Sequence, residues 1–292
     1  MNIDMYQVKV HQEKGLSVYD LFDTEFGSWL KVVPERGGII TGFGVENEEI
    51  FFLNEDTLYD AEKNIRGGIP ILFPISGQLE NGQYEWNGQV YKMKNHGVAR
   101  NYPWEVVETC TNEKTASITL RLTSNDGTLK EYPFKFEVIF TYTITKNDLR
   151  IDQVYRNTSE NTMPIYAGFH PYFKTTYKDL IYQTDAKTYL DYNDMRKKSI
   201  QGSLDLTDLK ESLVLLDAAQ REISFDLPDQ KKTVTMRYGD EFKYIVLWTE
   251  KDQEFICVEP WMAKTDELNR KEELVMVEPG KALHSSLVIS VK

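Results

Sequence analysis

A chain of 292 residues with 41% hydrophobic and 12% aromatic side chains has ample material for a core, so disorder and fibrous repeats are excluded. A formal charge of -12 with no dense Lys/Arg block argues against a nucleic-acid partner, although it leaves the sign of a small local pocket open. No apolar run reaches the roughly 18 residues of a membrane span, and the start MNIDMYQVKV has no basic region leading into an apolar one, so the expectation is a soluble cytoplasmic protein with no membrane partner.

In chain order, strand-like patterns are expected at residues 7–10, 30–33, 50–53 and 104–110. Ile118, Leu120 and Leu122 alternate with polar neighbours, and the clearest signal follows: Phe134, Phe136, Val138, Phe140, Tyr142 and Ile144 keep one parity. Lys146-Asn147-Asp148 breaks that run before Leu149, Ile151, Gln153 and Tyr155 resume it, which predicts an antiparallel hairpin. Further strands are expected at 233–238, 244–249, 255–259 and 287–291, whereas helical periodicity is confined to short candidates at 192–198 and 266–274. Length alone allows one large domain or two ordinary ones. Many strands, few short helices and no Pro/Gly/Ser-rich linker predict an all-β chain: one large antiparallel β-sandwich over residues 1–292. Cys110 and Cys257 both fall in apolar strand-like contexts and are expected to be buried free thiols rather than a disulfide or metal site.

The stretch 66–100 stands apart from this regular pattern. RGGIPILFPISGQ and, further on, KNHGVARN combine glycines, prolines, two arginines and an imidazole in irregular backbone of the kind that carries binding groups. His11 and His284 lie in ordinary polar settings and are expected at the surface. His170, in AGFHPYF, is held toward extended geometry by Pro171 and surrounded by aromatic residues. That setting suits either a buried structural histidine or an imidazole tuned for proton transfer. Glu259 ends the apolar run FICVEPW, where a carboxylate is paired or used; burial there would raise its proton affinity toward that of a general base.

RGGIP with NHGVARN, GFHPYF and CVEPW, in this order, resembles the aldose 1-epimerase, or galactose mutarotase-like, superfamily. The resemblance implies a large antiparallel β-sandwich with a sugar site on a concave sheet face, acting without a cofactor or metal to interconvert α and β anomers. It implies His170 as general acid at the ring oxygen and Glu259 as base on the anomeric hydroxyl, with Arg66 and His96 at substrate-binding positions. HPYF and HGVAR look closer to the hexose-6-phosphate mutarotase and lactose-operon-associated branches, so the expected ligand is a hexose or hexose phosphate.

Arg100 suits a sugar phosphate or hydroxyl through its fork of donors, or else a structural ion pair. Trp261 is either a stacking face for the sugar or core. The carboxylate that holds sugar hydroxyls is expected near LDLTDLKESLVL, where both Glu211 and Asp208 are candidates. No GxGxxG, GxxxxGK[ST], CxxC or HExxH occurs, so nucleotide, redox and common zinc chemistries are unmotivated. The rival reading is a carbohydrate-binding sandwich without catalysis, which has no need of a His/Glu proton pair.

Overall fold

The computed structural model describes residues 5–292, and its regular structure is dominated by antiparallel strands. A seven-stranded sheet runs Glu222–Leu227, Lys232–Tyr238, Ala282–Val291, Asp148–Asn157, Phe136–Thr145, Ala116–Thr123 and Glu105–Thr111 in spatial order. The hairpin read from the 134–155 pattern lies in its middle. Burial alternates strictly along Phe136–Thr145, and Thr145 pairs with Asp148, so the turn is Lys146-Asn147.

A second large sheet orders Arg196–Ser199, Thr188–Asp191, Leu213–Leu215, Tyr244–Trp248, Phe255–Trp261, Gly168–Phe169 and Ile71–Leu72, with Tyr172–Lys174 also paired to Phe255–Trp261. The two sheets are joined by aromatic contacts such as Phe140 with Phe169, ring centroids 5.7 Å apart, and Phe73 with Phe136, 4.9 Å apart. Five further strands from Tyr6–Glu13 to Glu48–Glu49 form a meander in chain order. Tyr142, from the seven-stranded sheet, donates its hydroxyl proton to the Gly38 carbonyl and ties the meander to the core.

Four sequence expectations need correction. Residues 50–53 form no strand; Phe51 and Leu53 make single bridges to Phe173 and Gly67, because Asn54 immediately caps the helix Glu55–Tyr59. Residues 192–198 are not helical but a turn leading into the strand Arg196–Ser199, which pairs with Thr188–Asp191. At 266–274 only Glu267–Arg270 is helical, bounded by left-handed Asp266 and Lys271. Cys110 is exposed, since it lies on the edge strand Glu105–Thr111, whereas Cys257 is buried. Among the described residues no helix is long and apolar enough to cross a membrane.

Candidate active site

The strand Phe255–Trp261 is buried along its whole length and forms the floor of the site. Ile256 and Val258 enter the main core, whereas Phe255 and Cys257 pack with Tyr172 against Phe52 and Trp248. Glu259, two residues beyond Cys257, therefore projects from the same face. Val246 pairs opposite Glu259 on one side. On the other side Tyr172 pairs opposite Cys257, which brings His170, two residues earlier, over the carboxylate.

His170 Nε2 lies 3.4 Å from Glu259 Oε1. The second carboxylate oxygen accepts the Trp261 indole N–H at 3.0 Å. The imidazole stacks on Tyr172, ring centroids 4.7 Å apart, and the His170 backbone N–H donates to the Pro70 carbonyl at 3.1 Å. Only 7% of His170 and 1% of Glu259 is exposed, so burial decides their ionisation. Burial raises the Glu259 carboxyl well above its ordinary range, with the Trp261 bond opposing it. Burial, followed by the charges of Arg100 and Arg66, pushes the His170 imidazole down to about 3. Both directions favour the neutral pair, in which the proton rests on the carboxyl.

His96 adopts a left-handed backbone with φ of 67°, a conformation that costs a non-glycine residue about 1–3 kcal/mol. Two bonds with Gly77 hold it there: the His96 N–H donates to the Gly77 carbonyl at 2.8 Å, and the Gly77 N–H donates to Nδ1 at 3.1 Å. Because Nδ1 accepts, the ring proton is on Nε2, which is left as a donor. Its ring stands perpendicular to that of His170, centroids 5.3 Å apart. The glycines of the flanking motifs are explained by close backbone approach: a Cβ on Gly68 would lie 2.0 Å from the Ile40 carbonyl oxygen, and one on Gly97 2.4 Å from that of Phe73.

Arg66, His96, His170, Glu211, Glu259 and Trp261 all line one open cleft of about 590 Å³, and Asp208 does not. Arg66 is half exposed, with Nε 3.7 Å from Glu250 Oε2 and its guanidinium 5.3 Å from the Trp248 ring centre. Trp261 lines the cleft and donates to Glu259, and it is almost fully buried.

Arg100 does not line this cleft. It faces a neighbouring cavity of about 220 Å³ together with Arg36, Lys63 and Lys94. Its Nη2 donates to the Asn95 carbonyl at 2.7 Å, its buried Nε has no partner, and burial lowers its pKa to about 10. The alternative, a structural ion pair, is absent among the described residues. A third hollow shares Gln78 and Asn95 with the cleft and Lys94 with the Arg100 cavity, so the three adjoin.

Sequence reasoning missed the opposite wall, where Tyr192, Met195 and Lys210 join Glu211. Asn193 fastens it: Oδ1 accepts the backbone N–H groups of Lys210 at 3.0 Å and Glu211 at 2.9 Å, while Nδ2 donates to the Glu211 carbonyl at 3.0 Å. The signal was the Asp191/Asn193 pair, a turn-forming pattern that a helical reading of 192–198 obscured. His170, Cys257 and Glu259 also bring one possible metal-ligand atom each to within 4.8 Å of one another.

The family described as Aldose 1-epimerase matches residues 29–290. Protein LacX (chromosomal) of Lactococcus lactis subsp. lactis is 28% identical over 231 residues, covering 67% of this chain and 73% of its own. An Escherichia coli K12 protein provisionally named a glucose-6-phosphate 1-epimerase is 26% identical over 180 residues, covering 59% and 50% respectively. Among solved structures, the Slr1438 protein of Synechocystis sp. PCC 6803 superposes with a TM-score of 0.90 at 32% identity, covering 100% of this chain and 98% of that one.

Proposed function

Because the chain belongs to the aldose 1-epimerase family, we propose that it interconverts the α and β anomers of a hexose or hexose phosphate by acid/base ring opening, with all of 1–292 acting as one domain. The observation that carries this reading is the buried His170–Glu259 contact of 3.4 Å on the cleft floor. The anomeric hydroxyl and the ring oxygen of a pyranose sit on the same carbon, so the groups that deprotonate one and protonate the other must be neighbours.

Glu259 takes the proton of the anomeric hydroxyl, its oxygen becomes the aldehyde, the bond from the anomeric carbon to the ring oxygen breaks, and His170 gives its proton to that oxygen. Rotation about the adjacent carbon–carbon bond followed by the reverse transfers closes the ring on the other face. This cycle starts from carboxylate and imidazolium, whereas burial favours carboxyl and imidazole. The two forms have the same net charge and differ by one proton crossing between Oε1 and Nε2, so catalysis requires the bound sugar's hydroxyls to solvate the charged form. His96 Nε2–H, Arg66, Glu211 and Trp261 hold the sugar against this pair.

Arg100 supports the phosphorylated substrate. A guanidinium with no carboxylate partner, in a cavity that also holds Arg36, Lys63 and Lys94 against one carboxylate, Glu62, suits a dianion. The name given to the Escherichia coli relative is in keeping with this reading. Polarimetry and exchange NMR on freshly dissolved α-glucose, α-galactose and their 6-phosphates test it. The expected result is faster anomer exchange, with a 6-phosphate preferred; sugar binding without faster exchange on any of them would instead establish a carbohydrate-binding sandwich.

A further inference from the structure

Cys257 is a buried nucleophilic group beneath the cleft that proton transfer does not use. It lies on the strand Phe255–Trp261 two residues before Glu259 and shares its face, while His170 arrives from the neighbouring chain segment. Glu259 commits Oε2 to the Trp261 indole, which leaves Oε1 facing His170 Nε2. The thiol sulfur, one imidazole nitrogen and one carboxylate oxygen lie within 4.8 Å of one another, and all three residues are buried.

We propose that Cys257, His170 and Glu259 form a binding site for a thiophilic divalent cation such as zinc or cadmium, and that the bound cation shuts off the acid/base pair. One sulfur, one imidazole nitrogen and one carboxylate oxygen are ligands of the type zinc takes, and three protein ligands leave a fourth position open to water from the cleft. Two ligands sit on one strand and the third is fixed by stacking on Tyr172, so the set is largely assembled before the metal arrives.

Charge is the main objection, because Arg66, Arg100 and Lys178 are nearby, with Glu250, Glu254 and Asp229 offsetting them in part. The objection is met by stoichiometry: thiol and carboxyl protons leave to solvent as the cation enters, and the dication with one thiolate and one carboxylate is neutral overall. The metal then ties up the imidazole and the carboxylate between which the catalytic proton moves, so it must compete with sugar. That consequence rests on the anomer-exchange reading, whereas metal binding itself does not.

The test uses cadmium with the full chain carrying Cys110→Ser, which removes the exposed second thiol. Thiolate-to-cadmium charge-transfer absorption should rise to one equivalent, fall when saturating sugar is added, and vanish on further Cys257→Ser or Cys257→Ala substitution, with folding verified by thermal melt. The cadmium concentration that halves anomer exchange should rise in those variants by more than the roughly 10- to 100-fold that outer-shell changes cost a metal site. No charge-transfer band, or a band and an inhibition unchanged by loss of Cys257, overturns the proposal. A Cys257-dependent band in a protein that exchanges no sugar keeps the metal site and removes the catalytic reading.

Discussion

Replacing Arg100 with methionine separates the stability of the fold from the chemistry of the site, because the two should move in opposite directions. Burial lowers the guanidinium pKa to about 10, which at about 1.4 kcal/mol per unit is a cost of roughly 3 kcal/mol for keeping the charge there. The group is charged in both folded and unfolded chains below pH 10, so this cost is constant across the neutral range. Against it stands the bond from Nη2 to the Asn95 carbonyl, worth about 1.5–3 kcal/mol as a charged hydrogen bond. Arg100→Met should therefore melt at the wild-type temperature or up to about 3 °C above it. Glucose 6-phosphate at a hundredfold its dissociation constant should stabilise the wild type by about 2.7 kcal/mol, and should do little for the variant. Differential scanning calorimetry with and without the ligand reads both effects. A variant that melts well below wild type makes Arg100 structural, and one that keeps the full ligand shift removes it from phosphate binding.

Three further outcomes are expected. Trp261→Phe deletes the indole donor to Glu259, which makes the carboxylate harder to form; anomer exchange at neutral pH should fall roughly tenfold and its pH profile should move to higher pH. Asn193→Ala frees the segment carrying Lys210 and Glu211, so steady-state kinetics should show KM rising roughly three- to tenfold with kcat unchanged. The third concerns stability against pH. Above 4.5 the folded chain holds a proton on Glu259 that the unfolded chain releases, so wild-type stability should fall as pH rises. His170 adds no slope above 6.5, and Glu49, raised by burial to about 7, contributes to both proteins, so urea melts should show wild type losing stability more steeply than Glu259→Gln as pH rises toward the folded-state pKa of Glu259.

The parts of this molecule that obey a period were legible from sequence. The alternation through Phe136–Thr145 is a statement about one buried face, and its structure repeats that statement residue by residue. Short segments governed by single side-chain bonds were not legible. Asn54 ends the apolar run at 50–53 with a helix cap, and Asn193 converts 192–198 into a turn. At the site, the irregular motifs marked His96, His170 and Glu259 because glycine, proline and a carboxylate at the end of an apolar strand each need a reason. Arg100 was harder, since a sequence cannot tell which hollow a long side chain enters. The direction of proton sharing was also hidden: it depends on burial from strands far apart in the chain and on two guanidiniums that no local pattern ties to His170.

The central claim is that His170 and Glu259 move a proton between the anomeric hydroxyl and the ring oxygen, and Glu259→Gln tests it most directly. Glutamine keeps the size of the side chain and can still face His170 and the Trp261 indole, but it cannot take up a proton. Exchange NMR on an anomeric mixture reports binding and interconversion in the same sample. The account predicts sugar binding close to wild type with exchange slowed by about 10² to 10⁴. A folded Glu259→Gln protein that exchanges anomers at the wild-type rate would contradict it.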